Sequence, residues 1–319
     1  MKNAGYLMLV VISMVLITAA SSCTEEEISE PEASEPEAID PEFEAADKKN
    51  QVFGEVSETA ATGAGEIEID GLGTFSFDPQ KVETVRKDIF REGYFSIFDI
   101  LVYLAQDGQI DMDYYFDEEM NTHIIDSLDG RTDWWYSAYY DGGWLERSVY
   151  RMDHYPYKDE MFLKMVKQPE ERLESIYNTY RDEIRRKDEN GGKIIVPEVI
   201  IEGKNDKHIF EEVEVTAHNL RSDMFQPVVV TAIDTILSLA EKGEISYDLQ
   251  WYESIGTAGV VKSYWVNRIN EDESQGRCGF VYEAGDELFY FFNGNHNHIP
   301  SDIRTINSPN YVKYFWICI

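Results

Sequence analysis

The sequence predicts an α+β protein: two similar domains, each a mixed sheet around one helix, joined by a further helix and preceded by a disordered acidic tether. Three observations carry this. The stretch "FSIFDILVYLAQDGQIDMDY" from Phe95 is repeated by "VVTAIDTILSLAEKGEISYD" from Val229. Alternating strand patterns flank both copies. An acidic, Pro-containing segment with almost no core-forming residues stands ahead of them.

The first element is not part of the fold. Lys2 is followed by an apolar run from Tyr6 to Ala20. At roughly 15 residues it has the length of a signal-peptide core, short of the ~20 a transmembrane helix needs. The run closes on "TAASSC", ending at Cys23. That arrangement resembles the lipobox of bacterial and archaeal lipoproteins, with Ala20 where that family usually has leucine. The resemblance implies a signal peptide over 1–22 and lipidation of Cys23, so that the lipid bilayer is the first partner. Each buried acyl CH2 contributes about 0.8 kcal/mol to such an anchor.

Residues 23–62, "TEEEISEPEASEPEAID" and onward, are too polar to offset the entropy of ordering the backbone. Their prolines and like charges favour an extended spacer. With 61 acidic against 28 basic residues and a formal charge of -33, the chain as a whole is a poor partner for nucleic acid.

Domain 1 is expected over 63–168. "IEIDGLGTFSF" alternates on both sides of Gly71 and predicts a hairpin. Ser96 then precedes Asp99 by the capping-box spacing, apolar residues recur at three and four, and Gly108 stops the helix. Domain 2, over 193–319, repeats the order. "VIIEGKNDKHIFEEVEV" turns at Gly203, Thr231 stands before Asp234 as Ser96 does before Asp99, and Gly243 matches Gly108. Between them, Pro169 and two glutamates open a helix that carries Arg and Lys late and ends on glycines. It is expected from Pro169 to about Lys187 within the connecting segment 169–192. Further along the repeats, Trp135 aligns with Trp265, and "KDEMFLKMV" aligns with "GDELFYFFN" as the closing strand.

A strand hairpin, one helix and about three further strands is the order of a β-grasp, with another two-layer α+β sandwich as the alternative. The segments Ala232 to Gly243, Trp265, and Gly285 to Phe292 resemble the transcobalamin C-terminal-like β-grasp domain. In the first repeat Lys158 replaces the glycine of "GD". The resemblance implies a surface-exposed or lipid-anchored setting and ligand binding. Related domains contact a corrinoid, but no residue here carries over as such a contact, and no cofactor is predicted.

The aromatic run "DWWYSAYYDGGW" holds the candidate ligand site. On a strand, Trp134, Tyr136, Ala138 and Tyr140 share one face and Trp135, Ser137 and Tyr139 the other. Trp135 is expected in the core. The surplus is Trp134, Tyr139, Tyr140 and Trp144, with Arg147 beside it. It either covers the seam between the repeats, forms a platform for a flat or sugar-like ligand, or docks a protein. His154 reads as a hydrogen-bonded structural residue. His296 and His298, two apart with Asp302 near, are a weak metal candidate. Cys278 and Cys318 are either a disulfide or two buried thiols.

No serine elbow, zinc signature, phosphate loop or dinucleotide fingerprint is present, and "DGQIDMDYYFDEE" lacks the EF-hand register. The expectation is therefore a non-enzymatic, lipid-anchored extracytoplasmic binding or adaptor protein whose partner is a small molecule or an envelope protein. A structural envelope protein and an unrecognised cell-surface hydrolase are the alternatives.

Overall fold

The computed structural model describes residues 64–140, 150–255, 259–285 and 299–318. Strands β1 (Gly65–Ile69) and β2 (Gly73–Phe77) form an antiparallel hairpin. Alternation buries Ile67 and Ile69 on one face, and the turn passes through Gly71 at φ 72°. Helix α1 (Ile97–Gln106) starts at Ser96, whose hydroxyl accepts from the Asp99 N–H while the Asp99 carboxylate accepts from the Ser96 N–H. It ends where the Gly108 N–H bonds the Ala105 carbonyl and the Gln109 N–H bonds that of Leu104, with Gly108 at φ 74°. That left-handed stop is one a glycine takes without strain.

Next come β3 (Met112–Asp117) and β4 (Thr122–Leu128), paired only with each other and bulged between Asp113 and Tyr114. Strands β5 (Trp134–Tyr140) and β6 (Met161–Lys167) return to the first sheet, whose order is β2-β1-β6-β5. β6 runs parallel to β1, and the other pairs are antiparallel.

Helix α2 (Glu170–Glu189) has two glutamates in its first turn and Arg186 and Lys187 in its last, favourable ends for the helix dipole. The second half then repeats the first. It consists of β7 (Ile194–Glu202), β8 (Lys207–Val215), α3 (Asp234–Glu241), β9 (Tyr247–Tyr252), β10 (Ser263–Ile269), the short β11 (Asp272–Glu273), β12 (Cys278–Gly285) and β13 (Tyr311–Cys318). Its larger sheet is ordered β8-β7-β13-β12, with β13 parallel to β7. β9 and β10 pair with a bulge between Val266 and Arg268. The fold is thus α+β, mostly strand, with three helices among the described residues and one topology used twice.

Two sequence alignments are corrected by the strand pairing. Trp135 lies on β5, whose counterpart is β12, whereas Trp265 lies on β10, the counterpart of β4. The closing strand of the second half is Tyr311–Cys318, and Gly285 ends the strand before it. The β9–β10 connection is longer than the β3–β4 turn, so a gapless comparison loses register there.

The described residues belong to one compact unit, Pro41–Ile319. The core around α1 and the first sheet takes in Met224, Phe225, Ile299 and Ile303 of the second half. Burying each such side chain contributes about 1.5–3 kcal/mol. At the seam, repeat-equivalent residues meet each other. Phe90 bridges Phe225 with ring centroids 5.6 Å apart. The Arg91 N–H donates to the Met224 carbonyl, and the Gln226 N–H donates to that of Ile89. At this point the halves meet in a self-complementary contact, as subunits of a two-fold dimer do. Cys278 and Cys318 face each other across β12 and β13 and are joined as a disulfide.

Candidate functional site

The repeat places an arginine clamp in each half. Arg86 holds Asp88 with a two-pronged fork, Nε to Oδ1 at 2.9 Å and Nη2 to Oδ2 at 2.7 Å. Its Nη1 donates to Asp153 Oδ2 at 2.8 Å and to the Asn121 carbonyl, and its guanidinium lies 5.4 Å from the Phe116 ring centroid. Arg221 does the same with Asp223 (3.0 and 2.8 Å), Asp302 (3.2 Å), the Lys262 carbonyl and the Trp251 ring at 5.3 Å. Asn121 and Lys262 both sit at positive φ, 51° and 43°, which aims their carbonyls at the arginine. Each clamp ties the segment before the helix to the central hairpin and to the turn before the last strands.

The two buried aspartates differ in their surroundings. Asp153 accepts from Arg86, from the His123 N–H, from Thr122 Oγ1 at 2.5 Å, and lies 2.9 Å from His123 Nδ1. Burial pushes this carboxyl up, but His154, His123, Arg86 and Thr122 together outweigh it and hold the group well below the usual carboxylate range. Asp302 accepts from Arg221 and the Tyr264 N–H on Oδ2, while its buried Oδ1 has no partner among the described residues. Burial wins there, and its carboxyl is raised.

His154 is buried, with Nδ1 2.7 Å from Thr305 Oγ1 and Nε2 2.8 Å from Arg86 Nη1. Burial lowers it to about 3. Nε2 also lies 3.0 Å from the Asn121 carbonyl, which Arg86 Nη1 bonds as well, so the ring, the guanidinium and this carbonyl form one buried cluster. Tyr150, pushed up to about 12 by burial, joins the same chain across the seam, with its hydroxyl 2.8 Å from Thr305 Oγ1. Lys158, fully buried, donates to the Val261 carbonyl and to Ser263 Oγ at 3.3 Å in the other half. Burial lowers it to about 7, against the pull of Asp302. These strongly shifted groups are sealed inside the protein.

Among the described residues, large apolar side chains reach solvent singly, as at Val228 and Ile209, and at one run of aromatics. Tyr114, Tyr115 and Phe116, consecutive on β3, are 40, 49 and 43 % exposed. Tyr114 and Phe116 stand edge-on to His123, which stacks on Phe98 at 5.0 Å. Tyr114 and Phe116 are thus seated on a rigid ring cluster above the Arg86 clamp, and Tyr115 projects from the other face of the strand.

The candidates expected in the β5 run fare differently. Trp134 is 2 % exposed, and its Nε1 donates to the Arg131 carbonyl at 2.8 Å. It packs and bonds inside the first half and offers no exposed surface, which fits neither a platform nor a dock at this residue. Trp135 is buried, edge-on to Tyr177 of α2. Tyr139 and Tyr140 end β5. Cys23, Trp144, Arg147, His296 and His298 lie outside the described residues. Asp302, the acid nearest the two histidines in sequence, is committed to Arg221. Among the described residues no group of three or more His, Cys, Asp or Glu is placed to hold a metal ion, and no helix is long and apolar enough to cross a membrane.

Sequence reasoning missed the clamps and the β3 strip. A signal for the clamps was present: "RKDIF" from Arg86 and "RSDMF" from Arg221 stand at the spacing that separates Asp99 from Asp234. Comparison with protein-family models, with curated proteins and with solved structures finds no match.

Proposed function

We propose that the chain is a lipid-anchored, extracytoplasmic binding or adaptor protein without catalytic activity, in which an acidic tether carries two tandem β-grasp-like domains. The four-stranded mixed sheet and single helix of each half, with first and last strands parallel, support the β-grasp reading. One observation supports the binding reading: the division of chemistry between inside and outside. Asp153, His154, Lys158, Arg221 and Asp302 are buried at the seam and beneath the hairpins, away from any substrate in solution. The exposed feature is the Tyr114–Tyr115–Phe116 strip, and aromatic side chains with rigid support are favoured anchors at interfaces.

The test is in intact cells. Labelling with an alkyne fatty acid should mark the parent and not Cys23→Ala. A photocrosslinking benzoylphenylalanine at Tyr115 should give a discrete adduct that the same group at Val228, exposed in the other half, does not. A parent that takes no label and stays in the soluble fraction sinks the anchor. Identical or absent adducts from both positions sink the adaptor reading.

A further inference from the structure

The adaptor reading leaves the partner open, and the β3–β4 hairpin narrows it. β3 makes its ladder with β4 alone, so its other edge has no strand beside it among the described residues. Such an edge is a template for one more strand. Its three exposed aromatics alternate, Tyr114 and Phe116 on one face and Tyr115 on the other, and its charge has one sign. Residues 107–129 contain eight carboxylates and neither lysine nor arginine.

The second half supplies a control within the molecule. Its equivalent segment, 242–270, balances three acids with three bases. Strand β9 presents Leu249, Gln250 and Trp251 where β3 presents Tyr114, Tyr115 and Phe116, and those three are half-buried. β9 is an edge strand as well, so what belongs to the first half alone is the run of three exposed aromatics with charge of one sign. A shared fold requirement would have appeared in both.

Resting on the adaptor reading, we infer that β3 docks an extended, lysine- or arginine-rich polypeptide segment as an added antiparallel or parallel strand. Main-chain bonds along the edge give the register. Basic side chains of the added strand meet Tyr115 on one face of the sheet or Tyr114 and Phe116 on the other, where a cation is attracted to the ring, and the flanking carboxylates. Asp113 and Asp117 border the strip within β3 itself. An anionic segment, a neutral sugar or an anionic membrane surface lacks the charge this edge complements.

The experiment uses the full chain in detergent and fluorescence anisotropy of labelled ten-residue peptides at low salt. The probes are an alternating Lys-Val peptide, its Glu-Val counterpart, and a Lys-Val peptide N-methylated at alternate amides. The Lys-Val peptide should bind, and the Glu-Val peptide should not. N-methylation, which leaves charge intact and blocks strand addition, should weaken binding about tenfold or more, a difference of ~1.4 kcal/mol. Tyr115→Ser should weaken it comparably, with Tyr247→Ser on β9 as the unaffected control. Added salt should weaken it further.

No binding of the Lys-Val peptide overturns the inference. So does binding indifferent to both N-methylation and Tyr115→Ser, since that is the bulk attraction of an acidic chain. The methylated peptide keeps the test decisive even if Tyr115→Ser misfolds. A Tyr115 crosslink that persists in cells while the Lys-Val peptide fails to bind leaves the adaptor reading standing and removes only this choice of partner.

Discussion

Replacing Asp153 and, separately, Asp302 by asparagine turns the internal repeat into a matched experiment. Both carboxylates are buried and both face the arginine of a clamp. Asp153 uses both oxygens, taking the charge-assisted bond from Arg86, the His123 N–H and the 2.5 Å bond from Thr122. Asparagine keeps one acceptor and turns an NH2 toward donors, so Asp153→Asn leaves Arg86 short of a buried counter-charge. Breaking such a pair costs about 3–5 kcal/mol. At about 2–4 °C per kcal/mol for a body of this size, the melting temperature should fall by roughly 6–20 °C.

Asp302 uses only Oδ2, and Oδ1 is buried without a partner among the described residues. An asparagine oxygen can keep both bonds of Oδ2 while the charge is removed, and Asp223 still holds Arg221. Asp302→Asn should therefore change stability by less than about 1 kcal/mol. Acidity separates the two further. The Asp153 carboxyl is depressed, so its contribution is complete above the unfolded value of about 3.9 and disappears as pH falls through the folded one. The gap between parent and Asp153→Asn must narrow on acidification. Asp302 is raised, so stability is lost as pH rises through its folded value, and Asp302→Asn gains on the parent over that rise. Thermal melts of the three proteins from pH 3 to 7 decide the matter. Equal losses for the two variants at pH 7, or the larger loss at Asp302, would refute the reasoning from hydrogen-bond geometry.

Further measurements follow from other parts of the fold. The Cys278–Cys318 bond closes a loop of 40 residues; in the chain-entropy model its loss through Cys318→Ser costs about 4 kcal/mol, read as a lower urea midpoint with a somewhat steeper slope, because the uncrosslinked chain unfolds further. An unchanged midpoint would show that the link adds nothing to the folded chain. Lys158 titrates near 7 in the fold, so the penalty for burying its charge is full below that value and is relieved as pH climbs toward the unfolded value of about 10.4. The parent should therefore gain on Lys158→Met between pH 6 and 9, and a constant difference in melting temperature would contradict the buried placement. Trp134→Phe removes the indole N–H from the Arg131 carbonyl, which keeps its bond from the Leu128 N–H. It should cost about 0.5–1.5 kcal/mol while peptide binding to β3 is unchanged, and a selective loss of binding would return Trp134 to the site.

The difference between what the sequence disclosed and what it hid lies in how local each feature is. Helix ends are local. Ser96 with Asp99, and Gly108 after the last turn, act over a few residues, so spacing alone located α1, and the repeat located α3. Strand partners are not local. A tryptophan on a β-rich run carries no label for its neighbour, so Trp135 and Trp265 looked equivalent until pairing put one beside β6 and the other beside β9.

The clamps sit between these cases. Arg86 and Asp88 are adjacent and repeat as Arg221 and Asp223, but the buried acid that completes each comes from the far side of the hairpin, ahead of His154 in one half and inside "PSDIR" in the other. Exposure was the hardest property to read. The aromatics densest in sequence, at Trp134 to Tyr136, are buried because β5 has α2 packed near one face and the core on the other. Those on β3 stay in solvent because the two-stranded sheet offers nothing to cover them. Aromatic content marks where binding energy is stored. Only the topology decides whether a ring packs into the fold or stays in solvent, and in this chain it leaves Tyr114, Tyr115 and Phe116 partly exposed on β3.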